Sequence, residues 1–326
     1  MSVPLPVGVV GVGALGRHHA RHLASLDSAR LVGVYDVDRP RAELVAAECG
    51  VRAFDDLDSL LKEARAVSVA VTTSFHYEVG ARILDRAIPA LMEKPLAASL
   101  EEADALLALA AKRGVLLAVG HIERFNRALR AAAPYLDDPL FAEGMRLAPY
   151  QPRGTDVAVV LDLMIHDLDL ILHLTGGAEP ADVRASGVAV LSQHLDMVNA
   201  RVEFEGGAVA NVTASRVARE RIRRLRLFQR NGYVSLDLAA GRGDFLRVRD
   251  GWQPGTGQEL ADIVEQIPLE APEADALGLE LRSFVDAVEG RESDIVTGRE
   301  GRAALALALQ VTAAVERLPL VFRSEA

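Results

Sequence analysis

The chain has 326 residues, 50% of them apolar, which exceeds the roughly 100–200 residues typical of one domain, so two domains with full cores are expected. Asp and Glu number 46 against 36 Lys and Arg, and the net charge of −10 argues against a general binder of nucleic acid or of a membrane surface. A single cysteine, Cys49, excludes an internal disulfide, the opening MSVPLPVGVVGVG lacks the basic start and cleavage pattern of a signal peptide, and no apolar run approaches the roughly 20 residues of a membrane span. A cytoplasmic protein that acts on small molecules fits these limits.

Up to about residue 120, short β-branched runs alternate with amphipathic helical stretches. The strands are PVGVVGV (6–12), RLVGVYD (30–36), AVSVAVT (66–72), AIPALM (87–92) and VLLAV (115–119). Apolar strands separated by helices imply a doubly wound parallel sheet covered on both faces. Residues 1–120 are therefore read as a Rossmann-type dinucleotide-binding domain.

Beyond residue 120 the texture changes. One helical segment, VVLDLMIHDLDLILHLTG (159–176), precedes strand-like runs VRASGVAVL, MVNARVEF, AVANVTASRV, IRRLRLFQR and YVSLDL. Turns such as EGG (205–207) and RNG (230–232) predict an antiparallel meander, with GWQPGTGQEL (251–260) as a loop. Residues 121–326 thus form an α+β domain on an open, mainly antiparallel sheet. Its C-terminal helices, 277–290 and 299–318, are placed to pack back on the first domain.

Gly11-Val12-Gly13-Ala14-Leu15-Gly16 follows the first strand and opens the first helix. The first glycine permits the tight turn, the second admits a pyrophosphate to the backbone, and the third allows close packing of helix on strand. Phosphate then lies on the exposed N–H groups at the positive end of the helix. Asp36 ends the second strand, 20 residues past Gly16, where an acid accepts hydrogen bonds from ribose hydroxyls and repels a 2′-phosphate. NAD is favoured over NADP, although Arg39 and Arg41 nearby soften that preference.

Ligands of an open parallel sheet bind outside the carboxyl ends of the strands. Three later strand ends carry polar groups there: Thr72 and Thr73 with His76, Glu93 with Lys94, and His121 leading to Glu123 and Arg124. For His76 a partly solvated position in the first helical turn serves as well as a cofactor contact. In SLEE, Ser99 and Glu102 form a capping box and carry no chemistry. Glu93 is open to two uses, pairing with the lysine or bonding the cofactor.

On the 159–176 helix, Asp162, His166, Asp169 and His173 fall within about 60° of one another, while apolar residues fill most of the rest. Such a helix is buried on most sides, and its polar stripe faces partners or a wet cavity. Asp169 suits a structural role and His173 a core or interface role. The stripe is about 16 Å long, too long for one ion, and there is no HExxH, so no metal is expected. An acid-base pair beside a nicotinamide is the more economical use.

GVGALG after the first strand, EKPL at 93–96, GHIERFN at 120–126 and DLMIHDLD at 162–169 together resemble the Gfo/Idh/MocA oxidoreductases over nearly the whole chain. The resemblance implies an N-terminal Rossmann domain and a C-terminal open sheet through which the chain forms a homodimer or homotetramer. It implies Lys94 as the active-site lysine, His166 as catalytic acid/base, and Asp162 as a catalytic or substrate-positioning carboxylate. Within the family, GHIERFN, PRGTD (152–156) and LDLMIHDLDLIL are similar to a bacterial subgroup acting on UDP-N-acetylglucosamine in the synthesis of amide-linked lipid A.

The activity implied is oxidation of a secondary hydroxyl of a sugar or sugar nucleotide to a ketone, at C3 of UDP-N-acetylglucosamine for that subgroup. Arg124, Arg153 and Asp156 are candidates for holding the substrate, although for each an ion pair at the surface or between domains serves equally. The alternatives are a dehydrogenase of a free sugar, inositol or small diol, and a non-catalytic regulator that senses NAD or sugar. Two departures from many relatives stand out: Met164 where they have glycine, and Arg127 where they have proline. The arginine run RVARERIRRLRLFQR (216–230) reads as a solvated or subunit-facing sheet surface.

Overall fold

The computed structural model describes residues 3–151, 157–253 and 257–317. It divides into two compact units, residues up to 125 with 274–305, and 126–273 with the segment from 306. Among the described residues no helix is long and apolar enough to cross a membrane.

The first unit begins with β1 (Leu5–Val10), α1 (Ala14–Ser25), β2 (Ala29–Tyr35), α2 (Arg39–Cys49), β3 (Arg52–Ala53), α3 (Leu57–Glu63) and β4 (Ala66–Val69). It continues through α4 (His76–Asp85), β5 (Ala90–Glu93), α5 (Leu100–Arg113) and β6 (Leu117–Gly120). The six strands are all parallel, in the order β3-β2-β1-β4-β5-β6. The strand order reverses between β1 and β4, which is where such sheets bind ligands. β3 escaped the sequence reading because its two residues, half-buried or exposed, carry no alternation. β5 starts later than expected and runs on through Glu93, so the carboxylate belongs to the strand rather than to the loop after it.

In the second unit α6 (Arg127–Ala132) and β7 (Phe141–Leu147) precede a π-helical turn, Val160–Met164, that runs into α7 (Ile165–Leu174). Then follow β8 (Pro180–Val188), β9 (Met197–Phe204), β10 (Val209–Ser215), β11 (Ile222–Gln229), β12 (Gly232–Asp237), β13 (Arg242–Val248), α8 (Leu260–Ile263) and β14 (Val264–Glu270). The eight-stranded sheet runs β14-β13-β12-β11-β7-β10-β9-β8, antiparallel except for β7 beside β10. The expected meander is therefore split by β7. Its FAEGMRL pattern puts buried Arg146 on the inward face, where alternation would call for an apolar residue. β13 and β14 were also missed, because their apolar residues are interrupted by charged or polar ones and each buries only one side chain, Phe245 and Leu269. Pro268 is tolerated near this sheet edge, where a missing donor costs little.

Two helices close the chain, α9 (Ala276–Val288) and α10 (Gly298–Glu316). Leu281, Phe284 and Val285 of α9 join the core of the first unit with Val9 of β1 and with Ala20 and Leu23 of α1. Burying each of the larger of these side chains contributes about 1.5–3 kcal/mol. The penultimate helix thus stabilises the element that carries the glycine loop.

Candidate active site

The glycine loop has the backbone its three glycines were expected to give. Gly11 adopts φ +79°, a left-handed value that a side chain strains. A Cβ on Gly16 would lie 1.8 Å from the Gly11 carbonyl oxygen, so only hydrogen fits where α1 leaves the sheet. A Cβ on Gly13, by contrast, would meet nothing within 4 Å, which leaves open space at the helix N-terminus. Gly16→Ala is expected to destabilise the protein by about 3 kcal/mol through this overlap, read as a lower urea midpoint with unchanged slope.

Asp36 is 8% exposed and accepts from the Val12 N–H at 2.8 Å and from the Asp38 N–H at 2.9 Å. The acid that ends β2 thereby also fastens the glycine loop. Arg41 reaches Asp36 at 3.5 Å and Asp38 at 2.9 Å, while Arg39 pairs with Glu43 at 2.7 Å and Asp55 at 2.6 Å. Leu15, Val37 and Phe75 follow the ends of β1, β2 and β4 and are 56%, 90% and 54% exposed. Large apolar side chains exposed at adjacent strand ends, with open backbone at Gly13 and an acid at Asp36, fit the phosphates, ribose and flat rings of a dinucleotide. Ala14 and Thr72 are exposed beside them, and Thr73 opens a short 3-10 turn that ends at Phe75.

At the end of β5, Glu93 is held within the chain from two sides. Its Oε1 lies 3.0 Å from His19 Nε2, its Oε2 accepts the Lys94 backbone N–H at 3.2 Å, and its carboxyl stacks over Gly120 of β6. The other ring nitrogen of His19 lies 2.7 Å from Ser68 Oγ on β4. Burial pushes the Glu93 carboxyl up, but the His19 hydrogen bond and the charges of His19 and Lys94 outweigh it and hold the carboxyl below its ordinary value. Lys94 is half-buried at the strand end.

His76 is 1% exposed rather than partly solvated, and its ring nitrogens face the Pro95 carbonyl at 2.9 Å and the Val71 carbonyl at 3.1 Å. Burial drives its pKa down, so the ring is neutral at ordinary pH and donates to only one of the two carbonyls. The ring clasps the backbone of the EKP segment to the end of β4. His121 is fully buried after β6. Arg124 pairs with Glu300 of α10 at 3.4 Å, and although burial pushes that carboxyl up, Thr297 and Arg124 hold it low. His19 was missed by sequence reasoning; the available signal was a histidine on the face of α1 that also buries Ala20 and Leu23.

In the second unit, Asp162 lies in the π turn and His166 in the first turn of α7, both half-buried. The expected stripe changes character along its length, since Asp169 is 1% exposed and His173 is exposed rather than packed in a core. The regular helical spacing assumed for 162–166 is interrupted by the π turn, a feature often found at functional positions. Asp167, outside that stripe, is buried and forms a two-pronged ion pair with Arg146 of β7, at 2.8 and 2.9 Å. Arg216, the first cation of the arginine run, is not on a solvated surface but 4% exposed, donating to the Val157 carbonyl at 2.6 Å ahead of the π turn. Arg224 and Arg226 do lie on the outward face, with Leu225 and Leu227 inward.

The two departures from the family pattern also have places. Met164 is fully buried, and Arg127 holds the β12–β13 turn through the Ala240 carbonyl at 2.6 Å, with Glu273 at 3.2 Å. Arg153 and Asp156 lie outside the described residues. Among the described residues no group of three or more His, Cys, Asp or Glu is arranged to hold a metal ion. The Cys49 thiol is pushed up by burial and by Glu48, against Arg21 and Arg17, so it is not an activated nucleophile.

A doubly wound sheet with this loop, acid and strand-end lysine, followed by a separate mainly antiparallel sheet, defines a dinucleotide-dependent oxidoreductase. Residues 5–121 match the model of the GFO/IDH/MocA oxidoreductase family with its NAD-binding Rossmann fold, and residues 138–235 match that family's C-terminal domain. The chain is 42% identical over 320 residues to UDP-N-acetylglucosamine 3-dehydrogenase of Acidithiobacillus ferrooxidans, covering 96% of this chain and 98% of that one. A solved structure of that enzyme aligns with a TM-score of 0.89 at 41% identity, covering 97% of this chain and 98% of the other. Myo-inositol 2-dehydrogenase of Thermotoga maritima is 24% identical over 92% of this chain and 93% of its own. The chain belongs to the Gfo/Idh/MocA oxidoreductase family.

Proposed function

We propose that this protein is an NAD-dependent dehydrogenase that oxidises the C3 hydroxyl of UDP-N-acetylglucosamine, in the cytoplasm, on a route to amide-linked lipid A. The observation that carries this reading is the 42% identity to an enzyme of that name over almost the full length of both chains. Presence of the glycine loop, Lys94, Asp162 and His166 on one chain supports turnover over sensing, because a regulator needs no proton-transfer groups.

Gly11, Gly13, Ala14, Leu15 and Gly16 would receive the cofactor's phosphates, Asp36 its adenosine ribose, and Thr72, Thr73, Glu93, Lys94 and His121 the remainder, with His76 holding the backbone of Lys94-Pro95 in place. When bound, the nicotinamide supplies the hydride acceptor. His166 takes the hydroxyl proton, Lys94 donates a hydrogen bond to the same oxygen, and Asp162 orients the sugar. Arg124 and Arg153 are the cations retained for the diphosphate, with Asp156 for sugar hydroxyls. NAD is preferred because Asp36 repels a 2′-phosphate and both nearby arginines are engaged by acids.

Association through the outward face of the second sheet, as a homodimer or homotetramer, is part of this reading. It is supported by the row Phe141, Phe228 and Tyr233, whose ring centroids lie 5.8 and 4.8 Å apart.

The test is NADH formation by the purified protein with UDP-N-acetylglucosamine, against free sugars and inositols, with mass spectrometry for a product lighter by two hydrogens. NAD binding without NADH across the panel would establish the sensor instead. Asp36→Ala is expected to weaken NAD about 10- to 100-fold, by loss of charge-assisted hydrogen bonds, and to narrow the NAD over NADP preference. Unchanged NAD affinity in that variant would remove the cofactor argument.

A further inference from the structure

Beneath the lysine lies a buried chain of polar groups that the proposed reaction does not use. Ser68 Oγ of β4 is 2.7 Å from His19 Nδ1, and His19 Nε2 of α1 is 3.0 Å from Glu93 Oε1 at the end of β5. Ser68 is fully buried and His19 is 1% exposed, so this is not a serine nucleophile with its base. The donors are ordered by chemistry. An ionised carboxylate only accepts, so Nε2 carries the proton toward Glu93, while the Ser68 hydroxyl, able to donate or accept, meets Nδ1.

The far end of the chain is Lys94. Glu93 Oε2 accepts the Lys94 backbone N–H at 3.2 Å, and the lysine's charge acts on the same carboxylate. We propose that His19 is a positioning residue: through its hydrogen bond it fixes the orientation and charge of Glu93, and Glu93 in turn sets the orientation and electrostatics of the Lys94 ammonium. The inference rests on the reading that Lys94 acts in the reaction, and it adds a group outside the substrate site that tunes it.

Among the described residues, His19 of α1 faces Glu93, Lys94 adjoins it in sequence, His76 of α4 feels its charge, Ser68 of β4 stands behind the imidazole, and Gly120 of β6 lies against its carboxyl. Burial favours the protonated acid, so the ionised form depends on His19 and Lys94. Removing the imidazole leaves the burial cost and takes away the hydrogen bond. Glu93 is then expected to protonate at a higher pH and Lys94 to lose its neighbouring charge there.

The chain contains three lysines, Lys62, Lys94 and Lys112, which makes a direct readout practical. Reductive 13C-methylation followed by NMR gives one resonance per lysine, assigned by Lys94→Arg. In the wild type the Lys94 resonance should show a secondary inflection on the acid side that reports Glu93, and Glu93→Gln should abolish it. His19→Gln and His19→Phe should move that inflection upward by about one pH unit, and Ser68→Ala should move it the same way by less. In the kinetic arm, His19→Gln should lower kcat about tenfold and shift the acid limb of its pH profile upward, with KM for NAD little changed.

Thermal unfolding of each variant separates a lost fold from a lost hydrogen bond, and Ser68→Ala keeps the test available if the His19 variants do not fold. An inflection that persists in Glu93→Gln, or that stays in place in folded His19 and Ser68 variants, overturns the inference whatever the kinetics. A wild-type protein inert toward all sugar nucleotides would defeat the proposed function instead, while the NMR arm would still decide whether His19 governs Glu93 and Lys94.

Discussion

Replacing Lys94 by alanine is expected to lower kcat by about a thousandfold while leaving the Kd for NAD within about threefold of wild type. The ammonium is the one lysine charge at a carboxyl end of the parallel sheet, delivered by the end of β5 and flanked by the ionised Glu93. In the proposed reaction, negative charge grows on the substrate oxygen as its proton leaves. A fixed cation there counts most in the transition state, which is why kcat suffers and ground-state binding of the dinucleotide does not. Lys94→Arg keeps the charge but spreads it over a planar fork, and should recover only a small part of the loss. His166→Asn, which removes the proton acceptor, should cost about 10²- to 10⁴-fold in the same assay. Steady-state NADH formation with an independent NAD titration checks all three, and a Lys94→Ala enzyme that keeps a tenth of wild-type turnover would refute the assigned role.

The parts of this site that were legible in the sequence are those whose chemistry is local. The glycine loop could be read because its glycines answer local demands within six residues of β1, and the structure displays them at Gly11 and Gly16. Asp36 was legible because it directly follows the apolar run of β2 at the spacing a ribose-binding acid takes from the glycine loop. What could not be read is contact made across the chain. His19 and Glu93 are 74 residues apart, Arg146 and Asp167 are on different elements 21 apart, and nothing in either local pattern announces the partner.

The same limit explains the second sheet. Strands β9 to β12 were recognised by their alternation, whereas β7 hid behind an inward arginine whose charge pairs with a residue on α7. The π turn at Val160–Met164 was equally invisible, since LDLM reads as ordinary helix. What sets it apart is held from outside by Arg216 on the Val157 carbonyl and by the Leu195 carbonyl on the Val159 N–H.

Arg146→Ala is expected to be the most destabilising single change in the second unit, costing about 3–5 kcal/mol. The pair is buried on both sides, Arg146 at 2% and Asp167 at 1% exposure, and the guanidinium fork meets both carboxylate oxygens. Deleting the arginine takes the two-pronged cation from a buried carboxylate beside Gly144, where a Cβ would already lie 3.4 Å from the Asp167 side chain, leaving little room for water to replace the fork. The cost should appear as a lower urea midpoint. Arg146→Met combined with Asp167→Leu removes both charges at similar volume and should recover most of the stability. If the double variant is no more stable than Arg146→Ala, the buried charge is not the cause and packing around β7 is. Turnover separates the two roles of the pair: His166 is the residue before Asp167, so a double variant that folds as well as wild type yet lowers kcat would show that the fork also sets the rotation of α7 on which His166 is presented.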